Sequence, residues 1–243
     1  WDKIHEPLRD PLARLIEGLQ AKLGRRVESL TVVGSALTED FRPGISDINT
    51  VVMLDEHDIE ALKAVALLAR SMRRSGLSAP LLMTTSHIER SRDVFGVEFL
   101  DFQLTHETIL GDDPFAAVAL KKQDVRLQCE RELKAMLVRL RQGWIAACGD
   151  ERLIRDLLIS AAKGLVPLLR AMLWLKDVER PRAVEAAFRE AAERFGVELD
   201  AVVTAQRWRY ASRRLSSEDV NSTFVAVVGS VDRLAATIDK IEL

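Results

Sequence analysis

Cysteine is scarce in this chain, and its few histidines are not grouped. Two cysteines, Cys129 and Cys148, occur in 243 residues, far apart and without a partner motif. Their scarcity argues against a disulfide scaffold and a metal–thiolate site, and it favours a reducing compartment. The four histidines show no spacing typical of metal ligands, so we expect them to have surface or structural roles.

The chain also lacks a strong charge bias, a recognisable signal peptide and an internal repeat. A net charge of −2 does not indicate a protein that coats nucleic acid. The most apolar stretch, LLISAAKGLVPLLRAMLWL at 157–175, is about as long as a membrane span, but Lys163, Pro167 and Arg170 interrupt it. These features predict a buried helix and a soluble, cytoplasmic protein with no membrane partner.

A cluster of arginines and aromatic residues in AQRWRYASRR, at 205–214, raises the question of nucleic-acid binding. Such mixtures can stack bases and hold a phosphate backbone. Helical spacing, however, distributes these arginines over several faces, and Trp208 is expected to pack inside the protein. The sequence therefore argues against nucleic acid as a partner.

The first 112 residues alternate helical and strand patterns. Leucines recur with helical spacing up to Gly24, and a second amphipathic helix is predicted at 56–76. Apolar runs bounded by turn residues predict four strands, with the sequences ESLTVVG (28–34), DINTVVML (47–54), APLLMTTS (79–86) and VEFLDFQLTH (97–106). This alternation predicts a small domain with a mixed β-sheet and flanking helices.

The second half carries helical patterns almost throughout. Asp112 and Asp113 are predicted to cap a helix with Pro114 in its first turn, running to about Gly143. Further helical patterns continue to the end of the chain, which predicts a helical bundle. The expected fold is α+β, with an α/β domain at 1–112 followed by an all-α domain at 113–243.

The segment VVGSALTEDFRPGISDINTVVML, at 32–54, places a small-residue turn and an acidic residue at the facing ends of two predicted strands. A glycine at Gly34 lets backbone N–H groups approach phosphate oxygens, and the Ser35 hydroxyl is a further donor. A carboxylate at Asp47 can hold the divalent cation that neutralises those phosphates. Residues 47 and 49 are two apart on a strand, so their side chains share one face.

GSALTEDFRPGISDIN resembles the Gly-Ser…Ser-Asp-Ile-Asp signature of the DNA polymerase β-like nucleotidyltransferase superfamily, especially its minimal and antibiotic-modifying members. Members such as kanamycin nucleotidyltransferase combine a small α/β catalytic domain with a helical bundle. The resemblance implies transfer of a nucleoside monophosphate from a nucleoside triphosphate, with Mg²⁺ or Mn²⁺, to a hydroxyl group of a small molecule or protein. It implies that Gly34, Ser35 and Ser46 contact the nucleotide and that Asp47 binds the metal.

The resemblance also implies a third carboxylate on a later strand. VEFLDF at 97–102 is similar to the segment that carries it, which assigns Glu98 to this role, with Asp101 as the alternative. Glu98 would then bind the metal and orient or deprotonate the acceptor hydroxyl.

Asn49 departs from the family pattern, which has a carboxylate at this position. Its amide oxygen can coordinate Mg²⁺ but attracts the ion far less than a carboxylate does. Two interpretations remain open: a transferase weakened by Asn49, or an inactive relative that acts as a nucleotide sensor or binds a partner.

Two cations in the apolar helix at 157–175 are further candidates. Lys163 and Arg170 are seven residues apart, so they were expected on one face, where they could meet the phosphates or an anionic acceptor. Alternatively, they reach solvent or pair with acids of another helix. The helical domain is also where we expect a protein partner or a second copy of the chain to bind.

Overall fold

A computed structural model describes residues 1, 3–210 and 215–243 of the protein. Its internal contacts divide the chain into two compact units. Unit 1 contains residues 1–93 and 99–120, and unit 2 contains residues 94–98 and 121–243. The sequence placed this division at residue 112. The segment 113–120 instead belongs to unit 1, where Phe115 is fully buried.

Unit 1 is built around a mixed sheet. Its strands are β1 (Val27–Val33), β2 (Asn49–Leu54), β3 (Leu81–Met83) and β4 (His106–Leu110). The spatial order is β3-β2-β1-β4, in which β1 is antiparallel to β2 and β4, and β2 is parallel to β3. The helices, in chain order, are α1 (Glu6–Leu23), α2 (Ile59–Ala66), α3 (Ala69–Arg74), α4 (Thr85–Ser91) and α5 (Gly96–Leu104), the last of which begins in unit 2.

Both faces of the sheet are covered, because side chains alternate along β1 and β2. On one face, Leu30 and Val32 pack against the leucines of α1, such as Leu12. On the other face, Val51 packs in a second cluster with Phe99. The mixed sheet with flanking helices confirms the predicted α+β class for this unit.

The fourth predicted strand, at 97–106, is wrong for most of its length. Residues Gly96–Leu104 form helix α5, and β4 follows at His106–Leu110. The apolar residues in VEFLDF fit both a two-residue and a three-to-four-residue repeat, so a short run of this kind cannot separate strand from helix. Tertiary packing decides the matter: Phe99 and Phe102, three residues apart and therefore on one side of a helix, both pack against Phe115.

The predicted helix start at Asp112–Asp113 is also wrong. Asp113 accepts a hydrogen bond from the N–H of Phe115 (2.9 Å) and another from His106 (2.8 Å), and no helix begins there. Phe115 packs against Phe99, Phe102 and His106 of unit 1. This packing holds the segment against the sheet unit, and the next helix begins at Lys122.

Unit 2 is a helical bundle, as predicted. Its helices are α6 (Lys122–Ala147), α7 (Glu151–Leu175), α8 (Val184–Phe195), α9 (Asp200–Arg207) and α10 (Ser217–Asp239). Helix α7 contacts the other four, and Leu165 and Leu169 on it are completely buried. Within the described residues, α7 is the one helix long and apolar enough to cross a membrane, and 61% of its most apolar 18-residue window is buried.

Candidate functional site

The turn that follows β1 leaves open space beside the backbone of Gly34. Gly34 has φ +77°, a left-handed conformation that favours glycine, and it starts a 3₁₀ turn over Gly34–Leu37. Apart from Gly34 and its two chain neighbours, no described residue has an atom within 4 Å of the place where a Cβ on Gly34 would stand. The N–H of Gly34 donates to the carbonyl of Thr105 (2.9 Å), so this amide already has a partner. Between Gly34 and Ser35, it is therefore Ser35 that can offer a hydrogen-bond donor, its hydroxyl group, to a ligand.

Asp47 and Asn49 lie at the same edge of the sheet as this turn, because Asn49 pairs with Val33 across β1 and β2. Both are exposed, whereas Ile48 between them is buried, so their side chains share the open side. Within the described part of the chain, no hydrogen bond or ion pair engages the Asp47 carboxylate. The structure thus brings together Gly34, Ser35, Asp47 and Asn49.

Ser46 shapes the loop that presents Asp47. Its buried hydroxyl accepts a hydrogen bond from the N–H of Arg42 (3.1 Å), and its own N–H donates to the Arg42 carbonyl (2.8 Å). Ile48 is held on the other side by hydrogen bonds with Gly76 and Ser78. Ser46 therefore has a visible structural role, and contact with a nucleotide stays a prediction.

Glu98 lies in unit 2 and on helix α5, not on a strand. Its carboxylate accepts a hydrogen bond from the side-chain amide of Gln128 (2.6 Å). Asp101, the alternative, lies on the same helix. The prediction that Glu98 lies on a strand is therefore wrong. A role of Glu98 in metal binding or catalysis rests on the sequence resemblance alone.

The later strand that adjoins β2 is β3, and it carries no carboxylate. Leu81 pairs with Val51, so it shares the sheet face of Val51 and of Asn49 two residues earlier. The side chain of Leu81 is 47% exposed. Sequence reasoning missed this position, because the assignment of a third carboxylate followed the residue pattern at 97–102.

The donor set at this edge fits a metal only in part. Asp47 supplies one carboxylate and Asn49 one neutral amide oxygen, and no group of three His, Cys, Asp or Glu side chains able to hold a metal occurs in the described residues. Mg²⁺ is commonly bound by one or two carboxylates together with substrate phosphates and water. The edge therefore fits a single cation that arrives with a triphosphate, and it does not fit a two-metal cage.

Lys163 and Arg170 differ in their surroundings. Lys163 is exposed on α7, whereas Arg170 is buried. The guanidinium of Arg170 donates to the backbone carbonyls of Pro181 (3.0 Å) and Arg182. These bonds give Arg170 a structural role in the segment after α7, and binding of phosphates by Lys163 or Arg170 stays a prediction.

The cluster of arginines and aromatic residues at 205–214 is only partly described. Trp208 is buried, as expected, and Arg207 forms two hydrogen bonds with Glu185 (2.9 and 3.0 Å). These bonds raise the pKa of Arg207. Arg213 and Arg214 lie outside the described residues.

Comparison with known proteins identifies the fold. No family model and no characterised protein matches the chain by sequence. The structure is similar to spectinomycin adenyltransferase AAD(9) from Enterococcus faecialis, whose crystal structure contains ATP and spectinomycin. The TM-score is 0.60 at 12% sequence identity, over 96% of this chain and 99% of the other. The chain therefore has the nucleotidyltransferase-like fold with a helical C-terminal part.

Proposed function

We propose that the protein is a nucleotidyltransferase that moves a nucleoside monophosphate from a nucleoside triphosphate to a hydroxyl group of a small molecule. The observation that carries the proposal is that the open Gly34–Ser35 turn and Asp47 lie at one edge of the sheet, and that the exposed Asp47 carboxylate has no partner among the described residues. The similarity to an adenyltransferase whose structure contains ATP and spectinomycin supports this reaction class and a small-molecule acceptor.

The reaction joins the acceptor oxygen to the α-phosphorus and breaks the bond between that phosphorus and the oxygen bridging to the β-phosphate. Pyrophosphate leaves, and the hydroxyl proton passes to a base. The Ser35 hydroxyl can donate to a phosphate oxygen, and the clearance at Gly34 lets the phosphates approach the backbone. Asp47, with Asn49 as a weaker ligand, would hold the Mg²⁺ or Mn²⁺ that comes with the triphosphate and neutralises its charge.

The proposed base is a carboxylate. Glu98 and Asp101 remain the candidates named from sequence, and both lie on α5. Glu98→Gln and Asp101→Asn, made separately, test them: the variant that removes the base should lower kcat more than it raises KM.

The experiment is an adenylyl-transfer assay with Mg²⁺, ATP and a panel of aminocyclitols that includes spectinomycin, with pyrophosphate release and product mass as readouts. Asp47→Ala should lower transfer roughly 100-fold or more, because it removes the carboxylate that would hold the cation neutralising the phosphates. Glu17→Gln, an exposed acid on α1, is the matched control and should leave transfer unchanged.

Asn49→Asp refines the same experiment. A second carboxylate beside Asp47 should tighten binding of Mg²⁺·ATP roughly tenfold or more and raise transfer. If ATP binds but neither the natural protein nor Asn49→Asp transfers AMP to any acceptor, the proposal is wrong and the chain is a nucleotide-binding protein.

A further inference from the structure

His106 lies directly beside the Gly34–Ser35 turn, although its residue type and spacing predicted only a surface or structural role. It is the first residue of β4, and its partner across β1 is Val33, the residue before Gly34. The residue before it, Thr105, accepts the hydrogen bond from the N–H of Gly34 (2.9 Å). The start of β4 is therefore attached to the turn at which we propose that phosphates bind.

The imidazole of His106 lies on the same face of the sheet as the side chain of Asn49. Both residues pair with Val33, one from each side, and cross-strand partners point to the same face. Two strand spacings of roughly 4.8 Å place their Cα atoms about 10 Å apart. Side chains that project from these two positions can reach opposite sides of one bound phosphate chain.

Asp113 holds the imidazole in one orientation. Its carboxylate bonds with Nε2 of His106 (2.8 Å) and accepts a hydrogen bond from the N–H of Phe115 (2.9 Å). Partial burial opposes ionisation of Asp113, but these hydrogen bonds prevail and lower the pKa of its carboxyl. An ionised carboxylate only accepts hydrogen bonds, so Nε2 is the donor. The ring of Phe115 also contacts the imidazole edge to face, with 5.8 Å between the ring centroids.

The other ring nitrogen of His106, Nδ1, is open to a ligand. Within the described residues, no hydrogen bond or ion pair engages it. The buried side-chain atoms that lack a hydrogen-bond partner do not include it, so it reaches solvent, in a side chain that is 20% exposed. An imidazole with both nitrogens protonated donates one hydrogen bond to Asp113 and can donate the other to an anion.

The charge of the proposed nucleotide site favours such a donor. A two-metal site neutralises the phosphates with two cations, whereas the edge at Asp47 and Asn49 fits a single cation. The Gly34–Ser35 turn adds only neutral donors. An imidazolium beside this turn would supply part of the positive charge that the second cation would otherwise provide.

We propose that His106, oriented by Asp113, binds the triphosphate of the nucleotide by donating a hydrogen bond from Nδ1 to an oxygen of the β- or γ-phosphate. The assignment rests on the proposed function, in which the Gly34–Ser35 turn receives the phosphates. As pyrophosphate leaves, the same N–H stabilises the negative charge that develops on it. His106 is thus a phosphate-binding residue, and Asp113 is a positioning residue that acts through it.

The test is a calorimetric titration of the whole chain with Mg²⁺·ATP, with inorganic tripolyphosphate and with AMP. His106→Phe keeps an aromatic ring against Phe115 but removes the donor. It should weaken binding of ATP and tripolyphosphate roughly tenfold or more, the loss expected for a charge-assisted hydrogen bond, and binding of AMP less than about twofold. His106→Gln, whose amide can still donate, should lose less than His106→Phe.

Two further variants separate phosphate binding from a structural role. Asp113→Asn no longer provides the charge that orients the ring, so it should weaken ATP binding roughly 3- to 10-fold, again with little effect on AMP. His57→Phe, at an exposed histidine beyond the other end of β2, is the matched control and should change neither. Equal losses for ATP and AMP in His106→Phe would overturn the inference, because a structural defect weakens both.

The outcome for His106 can be distinguished from the outcome for the transferase. If the natural protein transfers AMP and His106→Phe binds ATP equally well, the inference is wrong and the proposed function stands. If no acceptor receives AMP but binding of tripolyphosphate depends on His106, the inference stands and the proposed function is wrong.

Discussion

Asp47 and Asn49 stand side by side on the open edge of the sheet, and the charge difference between them determines how strongly that edge attracts a cation. A carboxylate carries a full negative charge, whereas the amide of Asn49 offers only a dipole. The register between β2 and β3 adds Leu81 to the same face. At the residue scale, the candidate site therefore has one carboxylate, that of Asp47, and two positions on the same face, Asn49 and Leu81, where a further charge could be placed.

Leu81→Glu, made in an Asn49→Asp background, tests this geometry. The added carboxylate should tighten Mg²⁺ binding a further 5- to 10-fold or so, because one more charge at a solvent-exposed site is worth about 1 kcal/mol. The measurement is a calorimetric Mg²⁺ titration. Leu62→Glu, at a leucine of α2 that is 49% exposed, is the control, and equal gains in both variants would contradict the assigned register.

The two cysteines should differ sharply in reactivity. Cys129 is buried, and desolvation, followed by the charges of Glu98 and Glu132, raises the pKa of its thiol to about 12. Because the thiolate is the nucleophile, Cys129 should stay unmodified at neutral pH, whereas the exposed Cys148 reacts. Titration with a chromogenic disulfide reagent should show one fast equivalent in the native protein and a second only on unfolding. Cys148→Ser should remove the fast phase.

At the scale of the secondary-structure element, the close packing of α6 against α7 depends on a glycine. A Cβ on Gly143 of α6 would stand 2.6 Å from a terminal carbon of Leu157 on α7. At Gly229 of α10, no atom of the described residues, the adjacent residues and nearby backbone of α10 itself apart, lies within 4 Å of the corresponding Cβ position. The two residues are therefore a matched pair, both inside helices but with different space around them.

Alanine at these two positions should have opposite consequences. Gly229→Ala should raise the free energy of unfolding by about 0.5–1 kcal/mol, because alanine favours the helix. Gly143→Ala should be less stable than Gly229→Ala by about 1–3 kcal/mol, because the gain in helix propensity is offset by overpacking. Urea denaturation of the two variants measures the difference, and equal stability would mean that Leu157 relaxes at no cost.

At the scale of the whole molecule, helix α7 is the central helix of the bundle in unit 2. It contacts the four other helices of unit 2, and its apolar composition follows from this central position. Binding of a protein partner or a second copy of the chain through this unit stays a prediction from the sequence.

Leu165→Ala tests the central position of α7. Leu165 is completely buried, so truncation should lower the free energy of unfolding by about 2–5 kcal/mol. Leu153→Ala on the same helix, where the side chain is 53% exposed, should cost less than about 1 kcal/mol. Similar losses at both positions in urea denaturation would contradict the burial of Leu165.

The sequence by itself determined the features that depend on neighbouring residues. The helical spacing of leucines specifies α1. Apolar runs that end at turn residues specify β1 and β2. Each of these patterns is a local periodicity that the sequence shows directly. The change to helical patterns in the second half predicted the bundle. The Gly34–Ser35 turn and Asp47 could be paired in advance because they lie at the two ends of the connector between consecutive predicted strands.

Only the tertiary structure decided the features that depend on distant contacts. VEFLDF forms a helix in which Phe99 and Phe102 lie on one side and pack against Phe115, and the segment after Asp113 stays in unit 1 because Phe115 packs into its core. The position of Leu81 beside Val51, on the sheet face of Asn49, follows from a parallel pairing between strands that are far apart in sequence. Such contacts join residues that no local periodicity connects, so they appear only when the chain is folded.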